Sequence, residues 1–339
     1  MRAVTNDQYG SPEVLTWSQV EHPRVGPRDV LIRVHASTVT QGDRRLRAAD
    51  YPGFSRLFGR LFSGVFRPRH RVGGSSFAGR VVEVGAEVTR FAVGDDVFGS
   101  TMHGAYAEYL AVPEDSSVEH MPETTSYAEA TALPYGGGTA LVFLRDLGRV
   151  QPGERVLIVG ASGGVGRFAV QVAKRLGAHV TGVCSAEAAE LVWSLGADEV
   201  IDYRAQNFLE SSARWDVVLN TVEGDHFRAV RPVLSERGRY LTLYVTLRVL
   251  FEMLASKLFG GPRALAGVAM GSAKLLSELR QLADEGALRD VIAERFPLER
   301  ASAAHAFLEN ARPHGSVVLD VIGGAAERVA SSEPLSKAS

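Results

Sequence analysis

Cysteine is almost absent from this sequence. Among 339 residues only Cys184 carries a thiol, so an intramolecular disulfide and a cysteine-cluster metal site are both excluded. A lone thiol is compatible with a reducing compartment. An excess of charge of one sign is also missing. Lys+Arg 37 against Asp+Glu 39 leaves a net charge of −2, so no global basic field invites nucleic acid. Long uncharged apolar runs are missing too; none approaches the roughly 18–20 residues of a transmembrane helix. The nearest stretch, YLTLYVTLRVLFEMLASKLF over 240–259, is broken by Arg248, Glu252 and Lys257. It reads as an amphipathic helix or a loop over a site rather than a membrane contact. The amino-terminal MRAVTNDQYGSPEVL has no apolar signal core. The expectation is a cytoplasmic protein with no membrane span and no nucleic-acid partner.

What is present is a globular composition, 45% hydrophobic and 22% charged, on a chain long enough for two domains. The first third reads as β-structure. DVLIRVHAS (29–37), GRVVEVGAEV (79–88) and GAYAEYLAV (104–112) are rich in strand formers and are punctuated by glycine and proline. The basic and aromatic segment 46–70 reads as a loop or short helix. Near residue 126 the pattern changes. Ser126 and Glu129 have capping-box spacing, and the segment SYAEATALPYGGGTALVFLRDLG is helical at both ends. Strands RVLIVG (155–160), HVTGVCS, DEVIDY, WDVVLNTV (215–222) and GRYLTLY (238–244) then alternate with helices such as GRFAVQVAKRLG (166–177). Alternation of this kind predicts an α/β fold, a doubly wound parallel sheet with helices on both faces. A helix over 274–287, a further helix and a closing strand follow. The polar tail 323–339 is predicted to be disordered.

The turn VLIVGASGGVGRFAVQ sits after a strand and opens a helix, which is where a phosphate-binding turn belongs. Its residues Ala161, Ser162, Gly163, Gly164, Val165 and Gly166 are candidates to hold a dinucleotide. Gly163 would admit the pyrophosphate to the backbone, and Gly166 would let helix pack close to strand. Ala161 replaces the usual first glycine. The helix terminus offers free N–H groups and the positive end of its dipole. The acid that binds the ribose of NAD is expected about 20 residues further on. The strand that should carry it ends at Ser185. A carboxylate would accept from the ribose hydroxyls and repel a 2′-phosphate; a serine can donate to the phosphate. The cofactor expected is therefore NADPH, with NADH less favoured. Glu187 stands close by, and Lys174, Tyr203 and Arg204 are the nearest groups to hold a phosphate. Asn220 and Thr221 end another parallel strand, where ligands bind in open sheets.

Taken in order, GRVVEVGAEVTRFAVGDDVFG, GAYAEYLAVPED, ALPYGGGTAL, GERVLIVGASGGVGRFAVQVAKRLGAHVTGVCS, LGADEVIDY and GSVVLDV resemble the medium-chain dehydrogenase/reductase superfamily. The likeness is to its zinc-less, quinone-oxidoreductase-like branch and covers roughly residues 1–322. It implies a Rossmann domain, 123–271, and a GroES-like β-barrel catalytic domain split between 1–122 and 272–322, with a cleft between them. It also implies pairing into a homodimer, since relatives often join through the edge of the Rossmann sheet. By resemblance Thr139, beside the glycine run of YGGGT, contacts the cofactor.

Zinc-dependent relatives carry cysteine, Gly-His-Glu and a four-cysteine lobe. Here Thr40 stands at the cysteine position and Ser75 and Ser76 stand for His and Glu, while VFGSTMHGAYAEY runs straight through where the lobe would lie. His70 and His103 lack partners at matching spacing. No structural or catalytic zinc is expected. Without a Lewis acid, conjugate hydride addition to an enone, or reduction of a quinone, is easier to support than direct ketone reduction. Thr40, Asp43 and Tyr51 are the catalytic candidates: a hydroxyl for the substrate, a turn carboxylate and a proton donor. The branch often has lysine before the final VVL; here it is Ser316. The apolar segment 241–271 reads as a cover over the substrate side, which favours an apolar small-molecule substrate, or as a dimer surface. Two alternatives stand beside the quinone or enone reductase. One is an enoyl-thioester reductase of lipid or polyketide assembly, for which the basic stretch RRLR (44–47) is permissive. The other is a non-catalytic NADPH-binding sensor.

Overall fold

A computed structural model describes residues 1–51, 59–61, 63–224 and 227–322. The tail 323–339, and residues 52–58 and 62 of the basic–aromatic segment, lie outside them. Strands β1 (Arg2–Thr5) and β2 (Thr16–Gln19) form an antiparallel ribbon. Five more follow: β3 (Asp29–Val39), β4 (Ser76–Val84), β5 (Asp96–Ser100), β6 (Tyr109–Pro113) and β7 (Val118–His120). Then come β8 (Arg155–Val159), β9 (His179–Cys184), β10 (Glu199–Asp202), β11 (Trp215–Asn220), β12 (Leu234–Thr242) and β13 (Arg263–Ala266). The last pair is β14 (Ile292–Pro297) and β15 (Ser316–Asp320). Among the described residues the helices of eight residues or more are α1 (Gln41–Ala48), α2 (Gly166–Arg175), α3 (Leu247–Phe259), α4 (Ala273–Asp284) and α5 (Ala301–Asn310).

Two large sheets result. The six-stranded sheet has the order β10-β9-β8-β11-β12-β13, parallel throughout. This is the doubly wound dinucleotide-binding order, and its switch point lies between β8 and β11. Buried Val156–Val159 and Val217–Asn220 meet there. The seven-stranded sheet runs β14-β15-β3-β4-β5-β7, with β6 also paired to β3. Its closing strands come from the far end of the chain. β15 pairs antiparallel with β3, Val39 opposite Val317. No helix among the described residues is long and apolar enough to cross a membrane.

Three sequence expectations shift. The strand expected over 104–112 begins only at Tyr109. Residues before it bond elsewhere: the Ala105 and Tyr106 amides donate to Gly74 and Gly73 carbonyls at 3.2 and 3.0 Å. The strand expected over 79–88 runs from Ser76 and stops at Val84. Gly85 then turns to the 26–29 loop, its amide donating to Asp29 O at 2.8 Å. The run Gly136–Gly138, expected between two helices, is itself helical. A Cβ on Gly136 would stand 2.4 Å from the Phe168 ring and 2.5 Å from the Gly164 carbonyl, so this helix lies directly against the glycine turn.

The two sheets are tied by a buried ion pair. Arg167, in the first turn of α2, puts Nη2 at 2.7 Å from Asp290 Oδ1 and donates to Ser316 Oγ at 2.5 Å. The side chains are 2% and 0% exposed. Ser316 thus accepts from an arginine on α2, a helix that packs on β8 and β9 of the other sheet. Removing one member of such a pair costs about 3–5 kcal/mol, because the other charge is stranded. Arg167→Met is expected to lower Tm by on the order of 10 °C. Arg167→Met combined with Asp290→Leu should recover most of the loss, since the stranded carboxylate is gone. Thermal unfolding of both variants checks it.

Candidate functional site

At the switch point β8 runs into Gly160, at φ 81°, and the chain doubles back into α2. A Cβ on Gly166 would lie 2.0 Å from Gly160 O, so only glycine lets the helix start here. Gly163 N donates to Gly160 O at 3.0 Å and closes the turn. Ala161 is fully buried beneath it. Gly164 is exposed, and a Cβ there would meet nothing within 4 Å. Among the described residues no backbone acceptor takes the amides of Ser162, Gly164 or Val165. Thr221 closes the other side, its Oγ1 donating to Val159 O at 2.8 Å. Asn220, 1% exposed, holds Tyr240 OH with Nδ2 at 3.1 Å and accepts Val222 N with Oδ1 at 3.0 Å. Unclaimed amides, an open glycine and a helix N-terminus make a cradle that fits a pyrophosphate.

Beyond β9, Ser185 is buried, two residues before Glu187. Glu187 is held down to about 2 by its own backbone amide, by Ser185 and by Arg204. Arg204 reaches it at 2.6 Å, with both side chains more than half exposed. The guanidinium carbon stands 5.7 Å from the Tyr203 ring centroid. Lys174 is engaged elsewhere, 2.8 Å from Asp198. The rim therefore holds the Ser185 hydroxyl, the Tyr203 phenol, the Arg204 cation and the carboxylates of Glu187 and Asp202, the last accepting the Arg204 amide at 3.0 Å.

The facing wall is α1. Thr40 is its N-cap, and a capping box with Asp43 is complete: Thr40 Oγ1 donates to Asp43 Oδ2 at 2.6 Å, and Asp43 N donates back at 3.1 Å. Both residues are buried. Behind them lie Arg47, His305 and Tyr106. Arg47 pairs with Glu309 at 2.7 Å and donates to His305 Nδ1 at 3.1 Å, so the imidazole proton sits on Nε2, which faces Tyr106 OH at 3.1 Å. Burial lifts the Asp43 carboxyl above its usual range, against the hydrogen bonds of Thr40 and Ser75.

Arg45 leaves α1 on another side. Its guanidinium lies 4.9 Å from the Tyr244 ring centroid and 3.9 Å from Glu223. Tyr244 OH reaches Thr221 O at 3.4 Å. The Tyr135 ring stands 3.5 Å from where Gly42 would carry a Cβ, and burial pushes its phenol up to about 12. Arg45, Tyr135 and Tyr244 thus gather between α1 and the carboxyl end of the parallel sheet.

A family model described as alcohol dehydrogenase GroES-like domain matches residues 26–123, and one described as zinc-binding dehydrogenase matches 195–319. Quinone oxidoreductase of Pseudomonas aeruginosa is 33% identical, over 92% of this chain and 97% of that protein. The chain belongs to the quinone-oxidoreductase-like branch of the medium-chain dehydrogenase/reductase superfamily. The human mitochondrial NAD(P)H oxidoreductase RTN4IP1 is 32% identical, over 95% of this chain and 89% of that protein. Among solved structures, the quinone oxidoreductase from Coxiella burnetii superposes with TM-score 0.83 at 30% identity, covering 95% and 99%. CurK enoyl reductase superposes with TM-score 0.82 at 25% identity, covering 94% and 98%. This medium-chain family member is therefore an oxidoreductase related to nicotinamide-dependent enzymes.

In this quinone-oxidoreductase-like chain the structure gathers Ala161 to Gly166, Asn220 and Thr221 at the switch point, with Ser185 and Tyr203 on one rim. Thr139 is half-buried just past the glycine run. Tyr51 is not brought to the Arg45 cluster by any contact; its hydroxyl donates to Ser63 Oγ at 2.8 Å. Thr40 and Asp43 Oδ2 are engaged in capping α1, while Asp43 Oδ1 is buried without a hydrogen-bond partner among the described residues. Arg45 and Tyr244 escaped sequence reasoning, because RRLR read equally well as solvated charge. In fact Arg44 pairs with Asp50, Arg45 faces Tyr244, and Arg47 is buried. Among the described residues no three His, Cys, Asp or Glu side chains converge as metal ligands.

Burial, and then Arg47, hold His305 down to about 3. Its folded value lies below the ordinary 6.5, so stability is complete above pH 6.5 and falls as pH drops toward 3. Between pH 6.5 and 5 the loss from this group is about 2 kcal/mol. Urea unfolding of His305→Gln across that window is expected to show a flatter pH profile than the parent chain.

Proposed function

We propose that this chain is an NADPH-preferring, zinc-independent oxidoreductase that reduces quinones or α,β-unsaturated carbonyls. One observation carries the reading. The positions where zinc-dependent relatives place ligands hold Thr40, Ser75 and Ser76, while the cleft wall presents Arg45 with Tyr135 and Tyr244. A dinucleotide seated on the glycine turn supplies a hydride when its nicotinamide is reduced. Hydride addition to the β-carbon of an enone forms one C–H bond and moves the π electrons toward oxygen. Arg45 and the phenols are placed to stabilise that oxygen. The α-carbon then takes its proton from a tyrosine or from water; a quinone takes it on oxygen. Thr40 and Asp43 act here as positioning residues that set the first turn of α1 and so the direction of Arg45.

Domain and partner assignments belong to the same proposal. The cleft lies between a catalytic part, 1–122 with 272–322, and a nucleotide-binding part, 123–271. β13 closes one edge of the parallel sheet, which suits in-plane pairing of two copies.

The rim argues for NADPH. Ser185 leaves no carboxylate at the strand end, and the exposed Glu187–Arg204 pair can open toward a 2′-phosphate. Exposed pairs of this kind hold weakly. Glu187→Gln frees Arg204 and is expected to lower the KM for NADPH about three- to tenfold, with NADH unchanged.

Initial rates of NADPH and NADH oxidation, measured separately with a simple enone and an ortho-quinone in the presence of a chelator, test the whole reading. NADPH-selective, chelator-resistant turnover is the expected result. Preference for NADH would give Glu187 the acid's role, and loss of activity with chelator would remove the metal-free mechanism. A second reading, enoyl-thioester reduction, draws on the likeness to CurK enoyl reductase and on Arg45 beside Tyr244. Turnover of an enoyl-coenzyme A but of neither small substrate would favour it. Tight NADPH binding without turnover would leave a non-catalytic binder.

A further inference from the structure

Arg167 does more than join the two sheets, because its guanidinium also reaches the glycine turn. Nε donates to Asp290 Oδ1 at 2.9 Å, and Nη2 approaches the same oxygen at 2.7 Å. Nη2 also donates to Ser316 Oγ. Nη1 folds back to the Gly163 carbonyl at 3.4 Å, the oxygen that accepts the Arg167 amide at 3.1 Å. The Gly163 carbonyl and the Gly164 amide belong to one planar peptide unit, in which C=O and N–H point in opposite directions. Whatever holds the carbonyl therefore aims the amide. Here the carbonyl is turned toward Arg167, so the Gly164 N–H faces away from it. That side is open. Gly164 is exposed, a Cβ on it would meet nothing within 4 Å, and among the described residues no backbone acceptor takes its amide. Hydrogen bonds to the carbonyl also polarise the plane and strengthen its N–H as a donor.

We propose that Arg167 is a positioning residue for the pyrophosphate of the cofactor. Anchored on Asp290 and Ser316, it fixes the Gly163–Gly164 peptide so that the Gly164 amide is aimed at a phosphate oxygen. The inference rests on the reading of this turn as a dinucleotide site. It adds that the cradle is set from outside the parallel sheet, since Asp290 lies in the loop before β14 and Ser316 opens β15. The guanidinium is paired with Asp290, so it acts on a phosphate through the peptide plane more than through net charge. Helix α2 is also docked without it. Gln171, 7% exposed, donates from Nε2 to Arg289 O at 3.0 Å and accepts the Arg289 amide with Oε1 at 2.9 Å. Removing Arg167 leaves the helix attached to the same loop.

Titration calorimetry of the full chain with NADPH, NADH and ADP-ribose, well below the Tm of each variant, tests it. Arg167→Met with Asp290→Leu removes one charge of each sign, so the net charge near the phosphates is kept while the bond to Gly163 is lost. This variant is expected to bind all three ligands about five- to tenfold more weakly, by one common factor, because each carries the pyrophosphate. Arg167→Lys keeps a cation for Asp290 but has a single nitrogen in place of the guanidinium fork. It should show the same uniform loss with a Tm closer to the parent value than that of Arg167→Met alone. A merely structural role would restore binding together with Tm. Parental affinity in either variant overturns the proposal. So does a loss confined to NADPH, which places the effect at the 2′-phosphate, or one absent with ADP-ribose, which places it at the nicotinamide. A parent chain that binds none of the three ligands overturns the dinucleotide reading and this inference with it. A parent that binds them and variants that match it overturn this inference alone.

Discussion

Helix α2 begins in contact with the backbone of Gly160, and much else follows from that contact. A side chain on Gly166 would collide with the Gly160 carbonyl at 2.0 Å, so strand and helix close to a distance that only glycine permits. At that distance the turn between them has no room to bond inward fully, and amides are left facing out. The same closeness carries Phe168 under Gly136 and Arg167 to Asp290. One tight turn thus makes the phosphate cradle, seats the glycine-run helix and delivers the charge that ties the two sheets.

Electrostatics divides this molecule into permanent and exchangeable pairs. Arg167 with Asp290 is shielded from water, and its members cannot part without leaving a charge in a low-dielectric interior. Arg47 is buried as well, paired with Glu309 and bonded to neutral His305, which faces Tyr106. Glu187 with Arg204 is the opposite case. Both side chains lie in water, so a competing anion can take the arginine at small cost. Burial thus fixes the first pair, and exposure leaves the second exchangeable.

The parallel sheet, its switch point and the glycine turn were legible in the sequence because their causes are local. Buried strands need runs of Val, Ile and Leu, and a strand-to-helix turn at contact distance needs glycine. The capping box at Ser126 and Glu129 was legible for the same reason. The strand before Tyr109 was misplaced because its alternation was real but its hydrogen bonds went to the 73–74 loop. The glycine run was helical against its propensity, because packing on Phe168, Leu275 and Leu279 rewards small residues there.

By itself, then, the sequence determined the fold class, the family, the tight glycine turn after β8 and the serine at the end of β9. These depend on residue type at short spacing, and short spacing is what a sequence records. Tertiary structure alone decided the rest. The three arginines at 44, 45 and 47 are nearly adjacent in the chain, yet one pairs at the surface, one lines the cleft and one is buried. Successive helical residues point about 100° apart, and what each meets was brought there by residues as distant as Tyr244 and His305. Ser316 likewise reads as a missing charge until the fold supplies Arg167 from a helix on the other sheet.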